Sequence, residues 1–441
     1  MALIVANFSA FAKGSNEEKP ISIIRDDETE TFLKDISQKI FVAAGLNPDS
    51  IKIIIVNDPS INAYIAGGQN LFLHTGLITE SDDVSGLMGV MAHESGHIKG
   101  AHLIQKDVNI KEANISSIAG YVIGIGSVLA GAPPEAGMAL GSAGQNIATR
   151  KFLAYSREYE NAADTVALDV LKKIDVTPNG LVTILRKLLA KQKISGDITD
   201  EYMLTHPVSE ERINRVLNFI KANPELDKAP PADLERRFKM VKAKVMGFLL
   251  DPERTKNFYL GKTTPDAIYA RAIALNKEAK FDESVALINQ LISQDPKNPY
   301  FTELKAQFSF ERGKIDESIK EYREVLKMVG NSGLIRLKLA EGLLATNNQT
   351  NWQEAVGQLK AVLAIEPKNI SAINRLGIAY GKLGKLGQSY LYLSESAIIA
   401  KDKPSAKRYI MLAENNIDKK SSEATRLAQL KKDLEGMLAE K

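Results

Sequence analysis

Two histidines and a glutamate stand at helical spacing in the run His93-Glu94-Ser95-Gly96-His97. Side chains four positions apart share one face of a helix, so both imidazoles of this H-E-x-x-H pattern can reach one metal ion. A catalytic zinc site uses three protein ligands and keeps one position open. Glu94 would lie beside that metal, where it can take a proton from an attacking water. The run therefore predicts a zinc hydrolase.

The position of a third ligand decides which class of zinc hydrolase to expect. A metzincin continues as H-E-x-x-H-x-x-G-x-x-H, but here Leu103 stands where that third histidine belongs, and His102 comes one residue early. The early position puts His102 on a different side of the helix. We therefore expect His102 to cap the helix or to donate to a ligand, and not to bind the metal.

A carboxylate from a later helix is the alternative third ligand. Glu160 and Asp164 are four residues apart and share a helix face. Glu160 is the predicted metal ligand. Asp164 is predicted to accept a ring N–H from a ligand histidine, which fixes the tautomer of that histidine. The small side chains of Ala162 and Ala163 would let this helix pack closely against the first one.

These runs resemble the M48 metallopeptidases, whose gluzincin pattern is H-E-x-x-H, a distant E-x-x-x-D and a later H-P-x-x-x-x-R-I. The last part is matched by Thr205-His206-Pro207 and Glu211-Arg212-Ile213. Residues 62–77 are also similar to the family's segment before the zinc helix.

The resemblance implies a zinc metalloendopeptidase with one Zn²⁺ per chain. His93, His97 and Glu160 match the family's zinc ligands. Glu94 matches the general base, and Asp164 matches the carboxylate that supports the ligands from behind.

Two further residues are predicted to be catalytic on the same ground. His206 matches a histidine close to the metal, which either polarises the substrate oxyanion or caps the zinc as a fourth ligand in a latent enzyme. The alternative is a structural histidine in the turn before Pro207. Arg212 matches an arginine that orients the site or the substrate. His74 departs from related sequences and is given no role.

Composition excludes several other functions. The 441 residues carry 57 Lys and Arg against 54 Asp and Glu, so the net charge is only +3, far from the strongly basic balance of nucleic-acid-binding proteins. We expect no nucleic-acid partner. The absence of cysteine excludes disulfides, a thiol nucleophile and Cys-ligated zinc.

The elements that must position the site can be predicted from apolar periodicity. A helix is expected over residues 24–44, a strand over residues 51–56 and a second strand over residues 71–73. We expect the second strand to be the sheet edge that pairs with extended substrate backbone. Ser81 or Asp82 is the expected N-cap of the zinc helix.

Residues 114–134 carry no charge, and four glycines interrupt their apolar pattern. Their length is close to the roughly 20 residues that span a bilayer. A single span would place the zinc helix and Glu160 on opposite sides of the membrane, which one metal site forbids. We favour a packed flap beside the cleft, with peripheral membrane contact and a spanning helix as the alternatives.

The N-terminus is also apolar, and Ala10-Phe11-Ala12 before Lys13 fits a small-x-small cleavage site. No Lys or Arg precedes the apolar run. We therefore expect residues 1–20 to be the remainder of a secretory signal that lacks its positively charged region. A disordered N-terminus is the alternative.

The second half of the chain repeats with a period of about 34 residues. Phe281-Asp282-Glu283-Ser284 returns as Ile315-Asp316-Glu317-Ser318, and similar runs begin at Trp352 and Leu386. Such a period of paired helices is the tetratricopeptide signature, and stacked pairs form a surface that binds partner segments. Three extra residues near Asn347-Asn348-Gln349 are expected to lengthen one inter-helix loop.

We therefore predict a mainly α fold in which a gluzincin-type domain, helices with a small β-sheet, precedes an α-solenoid of helix pairs. The expected parts are the signal or disordered segment 1–20, a metallopeptidase domain 21–228, a helical linker 229–263 and a tetratricopeptide domain 264–441.

A peptidase of this family followed by such repeats resembles the BepA-type proteases. The resemblance implies cleavage of unfolded or misassembled proteins in the bacterial periplasm, as quality control of outer-membrane protein assembly. It also implies that the repeats contact the assembly machinery. The rival interpretation is a tetratricopeptide chaperone or scaffold with a latent or silent zinc site, and the intact Glu94 argues against it.

Overall fold

The computed structural model describes residues 4–8, 21–66, 69–107, 145–195 and 206–439. The chain divides into two compact units, residues 3–270 and residues 271–441. Within the described ranges, no helix has the length and apolar character needed to cross a membrane. The predicted flap at residues 114–134 and the predicted cleavage site at residues 10–13 lie outside the described residues.

A five-stranded sheet lies in the first unit, in the order β1-β2-β3-β5-β4. The β3–β5 pair is parallel, and the β1–β2, β2–β3 and β4–β5 pairs are antiparallel. The strands are β1 (Ile4–Phe8), β2 (Ile21–Arg25), β3 (Lys52–Val56), β4 (Ala63–Ala66) and β5 (Asn70–His74).

The predicted strands are present as β3 and β5, but the predicted position of the sheet edge is wrong. β5 lies between β3 and β4, and β4 is the outermost strand on that side among the described residues. The four residues of β4 were too few to show an alternating pattern. Tyr64 holds β4 to β5 by stacking on Phe72, with ring centroids 5.0 Å apart.

The first helix, α1 (Asp27–Ala44), starts three residues later than predicted. Ile24 belongs to β2, because the isoleucines of β2 favour extended backbone. Asp26 ends the strand and caps the helix, and its side chain accepts a hydrogen bond from Thr29 N at 2.9 Å.

The helix that carries the H-E-x-x-H run is α3 (Val84–Asp107), and the short α2 (Thr75–Glu80) precedes it. The prediction that Ser81 or Asp82 caps α3 is wrong. The cap is Asp83, whose side chain accepts a hydrogen bond from Ser85 N at 2.9 Å, whereas the Ser81 hydroxyl donates to Leu77 O of the preceding helix. A carboxylate far along the chain also supports this end of the helix, because Glu235 accepts from Val84 N at 2.9 Å.

Four further helices of the first unit surround α3. They are α4 (Gln145–Lys173), α5 (Asn179–Ser195), α6 (Glu210–Ala222) and α7 (Ala232–Leu249), and a short α8 (Pro252–Phe258) follows. Phe238, Val241 and Val245 of α7 belong to the same apolar core as Phe32 and Leu87. The predicted linker segment thus contains a helix that packs into the peptidase core.

The C-terminal half consists of five helix pairs, which confirms the predicted fold class. Three-residue connections join the two helices in the first four pairs, and residues 415–421 join the last two helices. The helices are α9 (Pro265–Lys277), α10 (Phe281–Gln294), α11 (Pro299–Glu311), α12 (Ile315–Val329), α13 (Gly333–Ala345), α14 (Gln349–Ile365), α15 (Ile370–Lys382), α16 (Leu386–Ile399), α17 (Lys403–Glu414) and α18 (Ser422–Ala439).

The prediction that the three extra residues lengthen a loop is wrong. The loop 346–348 has three residues, as the loops 278–280 and 312–314 do, and α14 has 17 residues where α10 has 14. Asn348 caps α14 by accepting from Thr350 N at 2.8 Å. The insertion therefore adds about one helical turn, because the cap lies before the extra residues.

A buried ion pair in the first unit gives a stability prediction. Lys244 Nζ is 2.7 Å from Asp26 Oδ1 and 3.4 Å from Glu28 Oε2, and all three side chains are buried. Lys244→Ala leaves two carboxylates without that cation, so we expect a loss of about 3–5 kcal/mol. Lys239→Ala, on the same helix but half exposed, is the control, with an expected loss below about 1 kcal/mol. Urea unfolding of the full chain, followed by circular dichroism, measures both; equal losses would contradict the prediction.

Candidate metal centre

Three histidines and one glutamate converge inside the first unit. One ligand atom from each of His93, His97, Glu160 and His206 lies within 4.8 Å of the others. His93 and Glu160 are buried, His206 is 6% exposed, and the side chain of His97 is 22% exposed. The cluster therefore has one accessible side, at His97.

The donor atoms of the first three residues are spaced as a small ion requires. His93 Nε2 is 3.1 Å from His97 Nε2, and each of these nitrogens is 3.3 Å from one carboxylate oxygen of Glu160. In a tetrahedral zinc site with bonds of about 2.0–2.1 Å, neighbouring donor atoms lie about 3.3 Å apart. Two imidazole nitrogens and a carboxylate oxygen at this spacing fit a zinc ion.

Close packing of α3 against α4 brings the histidines to Glu160. A Cβ added to Gly96 would lie 2.7 Å from Ala163 Cα and 2.9 Å from Ala163 O, so only glycine permits this approach. The predicted role of Ala163 is confirmed, whereas Ala162 is exposed and the prediction for it is wrong. The role of Gly96 was missed, although a glycine inside the metal motif was the available signal.

Asp164 and Arg212 lie behind the cluster. Asp164 Oδ1 is 2.8 Å from His93 Nδ1, the contact that the spacing predicted. Arg212 donates to both oxygens of Asp164, from Nε at 2.8 Å and from Nη2 at 2.7 Å. Arg212 Nη1 is 2.7 Å from Glu160 Oε2, so one guanidinium contacts both carboxylates.

The start of α6 carries Arg212 and the loop that holds His206. Ser209 caps the helix by accepting from Arg212 N at 3.3 Å. Arg212 Nη1 also donates to Pro207 O at 3.1 Å. His206 Nδ1 is 2.9 Å from Glu160 Oε1, so this loop places a third imidazole in the cluster.

Glu94 lies beside the cluster and is 1% exposed. Its Oε1 has no hydrogen-bond partner among the described residues and is 3.7 Å from His206 Nε2. Burial raises the pKa of Glu94 to about 8, and the nearby Glu160 carboxylate adds to this effect. A buried carboxylate with one oxygen free of hydrogen bonds is placed to exchange a proton with a molecule at the cluster.

The other pKa shifts separate the charged groups from the neutral ones. Burial would lower the pKa of His93, but hydrogen bonds to Asp164 and Glu160 outweigh it and raise the pKa to about 9. For Asp164, hydrogen bonds from Arg212 and His93 outweigh burial and hold the pKa at about 2. Burial lowers the pKa of His206 to about 4. His206 is therefore neutral, and a neutral imidazole can bind a metal.

The remaining predicted positions lie apart from this cluster. His74 is buried at the end of β5, with Nδ1 2.8 Å from Ser60 Oγ and 3.5 Å from Asp58 Oδ1. These contacts of His74 hold the loop before β4. The sequence predicts no role for His74. His102 belongs to α3, but its side chain lies outside the described residues, as does Thr205.

Comparison with known proteins identifies the peptidase domain of the chain. Residues 27–220, which contain all of the clustered side chains, match Peptidase family M48. They form an M48 peptidase domain. The chain is thus a metalloendopeptidase, and the predicted family resemblance is confirmed.

The chain is also similar to curated relatives of the M48 domain. It is 26% identical over 405 residues to the Beta-barrel assembly-enhancing protease of Escherichia coli K12. That alignment covers 85% of this chain and 80% of the relative. It is 28% identical over 208 residues to the mitochondrial metalloendopeptidase OMA1 of Saccharomyces cerevisiae, covering 43% of this chain and 56% of that protein. Among solved structures, the TPR protein YrrB aligns at 15% identity with a TM-score of 0.32, over 44% of this chain and 95% of that chain.

The contact at Gly96 gives a prediction for the M48 domain. In Gly96→Ala, the new methyl group must push α3 away from α4, and overpacking of this kind costs about 1–3 kcal/mol. Because the movement separates the histidines from Glu160, we expect both a lower melting temperature and weaker zinc binding. Gly100→Ala is the control, since a Cβ there meets no atom of the described residues within 4 Å. Equal zinc affinity in the two variants, measured by chelator competition, would contradict the prediction.

Proposed function

We propose that the chain is a zinc-dependent endopeptidase with one zinc ion, held by His93, His97 and Glu160. The observation that carries this proposal is the spacing of 3.1–3.3 Å among their donor atoms, beside Glu94, whose Oε1 is buried without a hydrogen bond among the described residues. The M48 match supports it from an independent direction.

Glu94 is the proposed general base and acid. It takes a proton from the water that attacks the scissile carbonyl and then delivers a proton to the departing amine. A bound zinc ion supplies a Lewis acid that polarises the carbonyl and acidifies water. Asp164 accepts a hydrogen bond from Nδ1–H of His93. This bond fixes the tautomer in which Nε2 keeps a free lone pair that can bind the metal.

His206 has two possible roles at this site, and its position supports both. Its Nε2 lies 3.7 Å from Glu94 Oε1, so this side of the ring can face a substrate oxyanion and stabilises it once Nε2 carries a proton. Its Nδ1 lies 2.9 Å from Glu160, so the ring is also placed to act as a fourth ligand that closes the site in a latent enzyme.

The outermost strand, β4, is the proposed place for the substrate backbone. An extended peptide can add to a sheet edge through main-chain hydrogen bonds, while side-chain contacts provide preference. Among the described residues no strand pairs with β4 on its outer side. This geometry requires an extended, unfolded segment, so the proposed substrates are unfolded or misassembled proteins.

The biological role is proposed from the relatives together with the helical repeats. Proteins named Beta-barrel assembly-enhancing protease align with 85% of this chain, a span that exceeds the M48 domain. We propose a periplasmic enzyme that acts in the quality control of outer-membrane β-barrel proteins, with the repeat half contacting the assembly machinery or its clients. The presence of five helix pairs supports a protein-binding half.

The alternative is a chaperone or scaffold in which the repeats act and the zinc site is silent. One observation favours it: His206 provides a fourth donor group in the cluster, and a four-coordinate closed site is structural rather than catalytic. The buried, unpartnered Glu94 has no role in such a closed site, which is why we prefer the enzyme.

Cleavage of unfolded casein by the full chain tests the proposal. In Glu94→Gln, we expect zinc to be retained and the cleavage rate to fall by about 10²–10⁴-fold, the usual contribution of a general base. Glu158→Gln is the control, because this glutamate is exposed on α4 and its carboxylate is outside the cluster. Full activity in Glu94→Gln, or a protein that binds zinc but cleaves no peptide either as wild type or as His206→Ala, would contradict it.

His206→Ala distinguishes the two roles of that residue. If the imidazole caps the zinc, its removal opens the site and cleavage becomes faster. If it stabilises the oxyanion, the rate falls by about 10²–10³-fold. The latency role is the one we expect, because His206 already contacts Glu160 within the cluster. The same casein assay with matched zinc content measures the change, and a slower variant would exclude latency.

A further inference from the structure

Arg212 is a buried cation beside the proposed ligands. It is 4% exposed, and each of its three side-chain nitrogens contacts a protein oxygen. Nε and Nη2 donate to the two oxygens of Asp164 at 2.8 and 2.7 Å. Nη1 is 2.7 Å from Glu160 Oε2 and 3.1 Å from Pro207 O.

These contacts favour one of the two roles that the resemblance implied for this arginine, orienting the site, over the other, orienting the substrate. A group that stabilises a substrate oxyanion needs an N–H directed at the reacting atoms. In Arg212, all three nitrogens are instead engaged by Asp164, Glu160 and the backbone of the loop next to His206.

The planar guanidinium connects Asp164, Glu160 and the loop that holds His206. Asp164 Oδ1 receives both Arg212 Nη2 at 2.7 Å and His93 Nδ1 at 2.8 Å, so the position of one metal-facing imidazole depends on the arginine. Nη1 lies 2.7 Å from Oε2 of Glu160 as an ion pair without hydrogen-bond geometry, and Oε1 is directed at His97 and His206. A two-pronged guanidinium can bond both oxygens of Asp164 and still place its charge beside Glu160, whereas a lysine ammonium acts as a single point charge.

We propose that Arg212 is a positioning residue, which sets the affinity of the site for zinc by holding Asp164, Glu160 and the His206 loop in one arrangement. The inference rests on the proposed zinc site and adds a residue that touches neither metal nor substrate. Its charge also balances one of the two carboxylates that it contacts.

Zinc affinity of the full chain, measured by chelator competition, tests this inference. For Arg212→Lys we expect binding to weaken by about 10–100-fold, the usual cost of removing a group that supports a ligand. The absorption bands of the cobalt-substituted protein should shift as well, because the ligand arrangement changes. A loss of stability alone would move neither the cobalt spectrum nor the affinity of the folded protein.

Arg215→Lys is the matched control. Arg215 lies one turn away on α6, is 31% exposed and contacts only the exposed Glu211 at 3.7 Å among the ion pairs of the described residues. We expect its zinc affinity to stay within about twofold of wild type, since it supports no ligand. Arg212→Lys with affinity within the same limits and an unchanged cobalt spectrum would overturn the inference.

Asp164→Asn decides the question if Arg212→Lys does not fold. It keeps the shape of the side chain and the arginine, but it removes the charge that pairs with both Arg212 and His93. A loss of at least about tenfold in zinc affinity supports the inference, and unchanged affinity overturns it. A wild-type chain that binds no zinc would instead remove the proposed function, so the two failures are distinguishable.

Discussion

The M48 domain buries three carboxylates in one pocket, those of Glu94, Glu160 and Asp164, and Arg212 is the cationic side chain that contacts two of them. Charges withdrawn from water are costly unless partners compensate them. Hydrogen bonds from histidines lower the pKa of Glu160, and hydrogen bonds from Arg212 and His93 lower that of Asp164, so these two carboxylates are ionised. Both need cations beside them: Arg212 is one, and a metal ion that replaces the proton on His93 would be another. The buried carboxylates therefore need positive charge around them, and the elements that supply it converge on this site.

Three helices, α3, α4 and α6, meet at the buried carboxylates. α3 and α4 approach closely at Gly96 and Ala163, where a single additional carbon would not fit. The start of α6 then adds His206 and Arg212 from the far side of the cluster. The cap that Glu235 of α7 provides at the start of α3 shows that residues beyond the M48 match also position the site. The peptidase unit, in physical terms, extends through α7.

The sequence predicts the parts of this arrangement that follow from helical periodicity. The four-residue spacings 93–97 and 160–164 placed each pair on one face, and the 34-residue period identified the helix pairs. Contacts set by tertiary packing were not predictable in this way. The Gly96 contact depends on the partner helix, and the edge position of β4 depends on strand order. The 34-residue period shows that the repeat near Trp352 is longer than its neighbours. It does not show whether the added residues extend a loop or, as the structure has them, a helix.

X-ray absorption at the zinc edge of the full chain, loaded with one equivalent of zinc, tests the central claim most directly. The account predicts a first shell of nitrogen and oxygen at about 2.0–2.1 Å, with the outer-shell scattering of at least two imidazoles. The chain has no cysteine, so no thiolate ligand can contribute to that shell. In Glu160→Gln the shell should lose its order and the zinc should dissociate more readily. A shell without imidazole scattering, or one that is unchanged in Glu160→Gln, would contradict the assignment of the site.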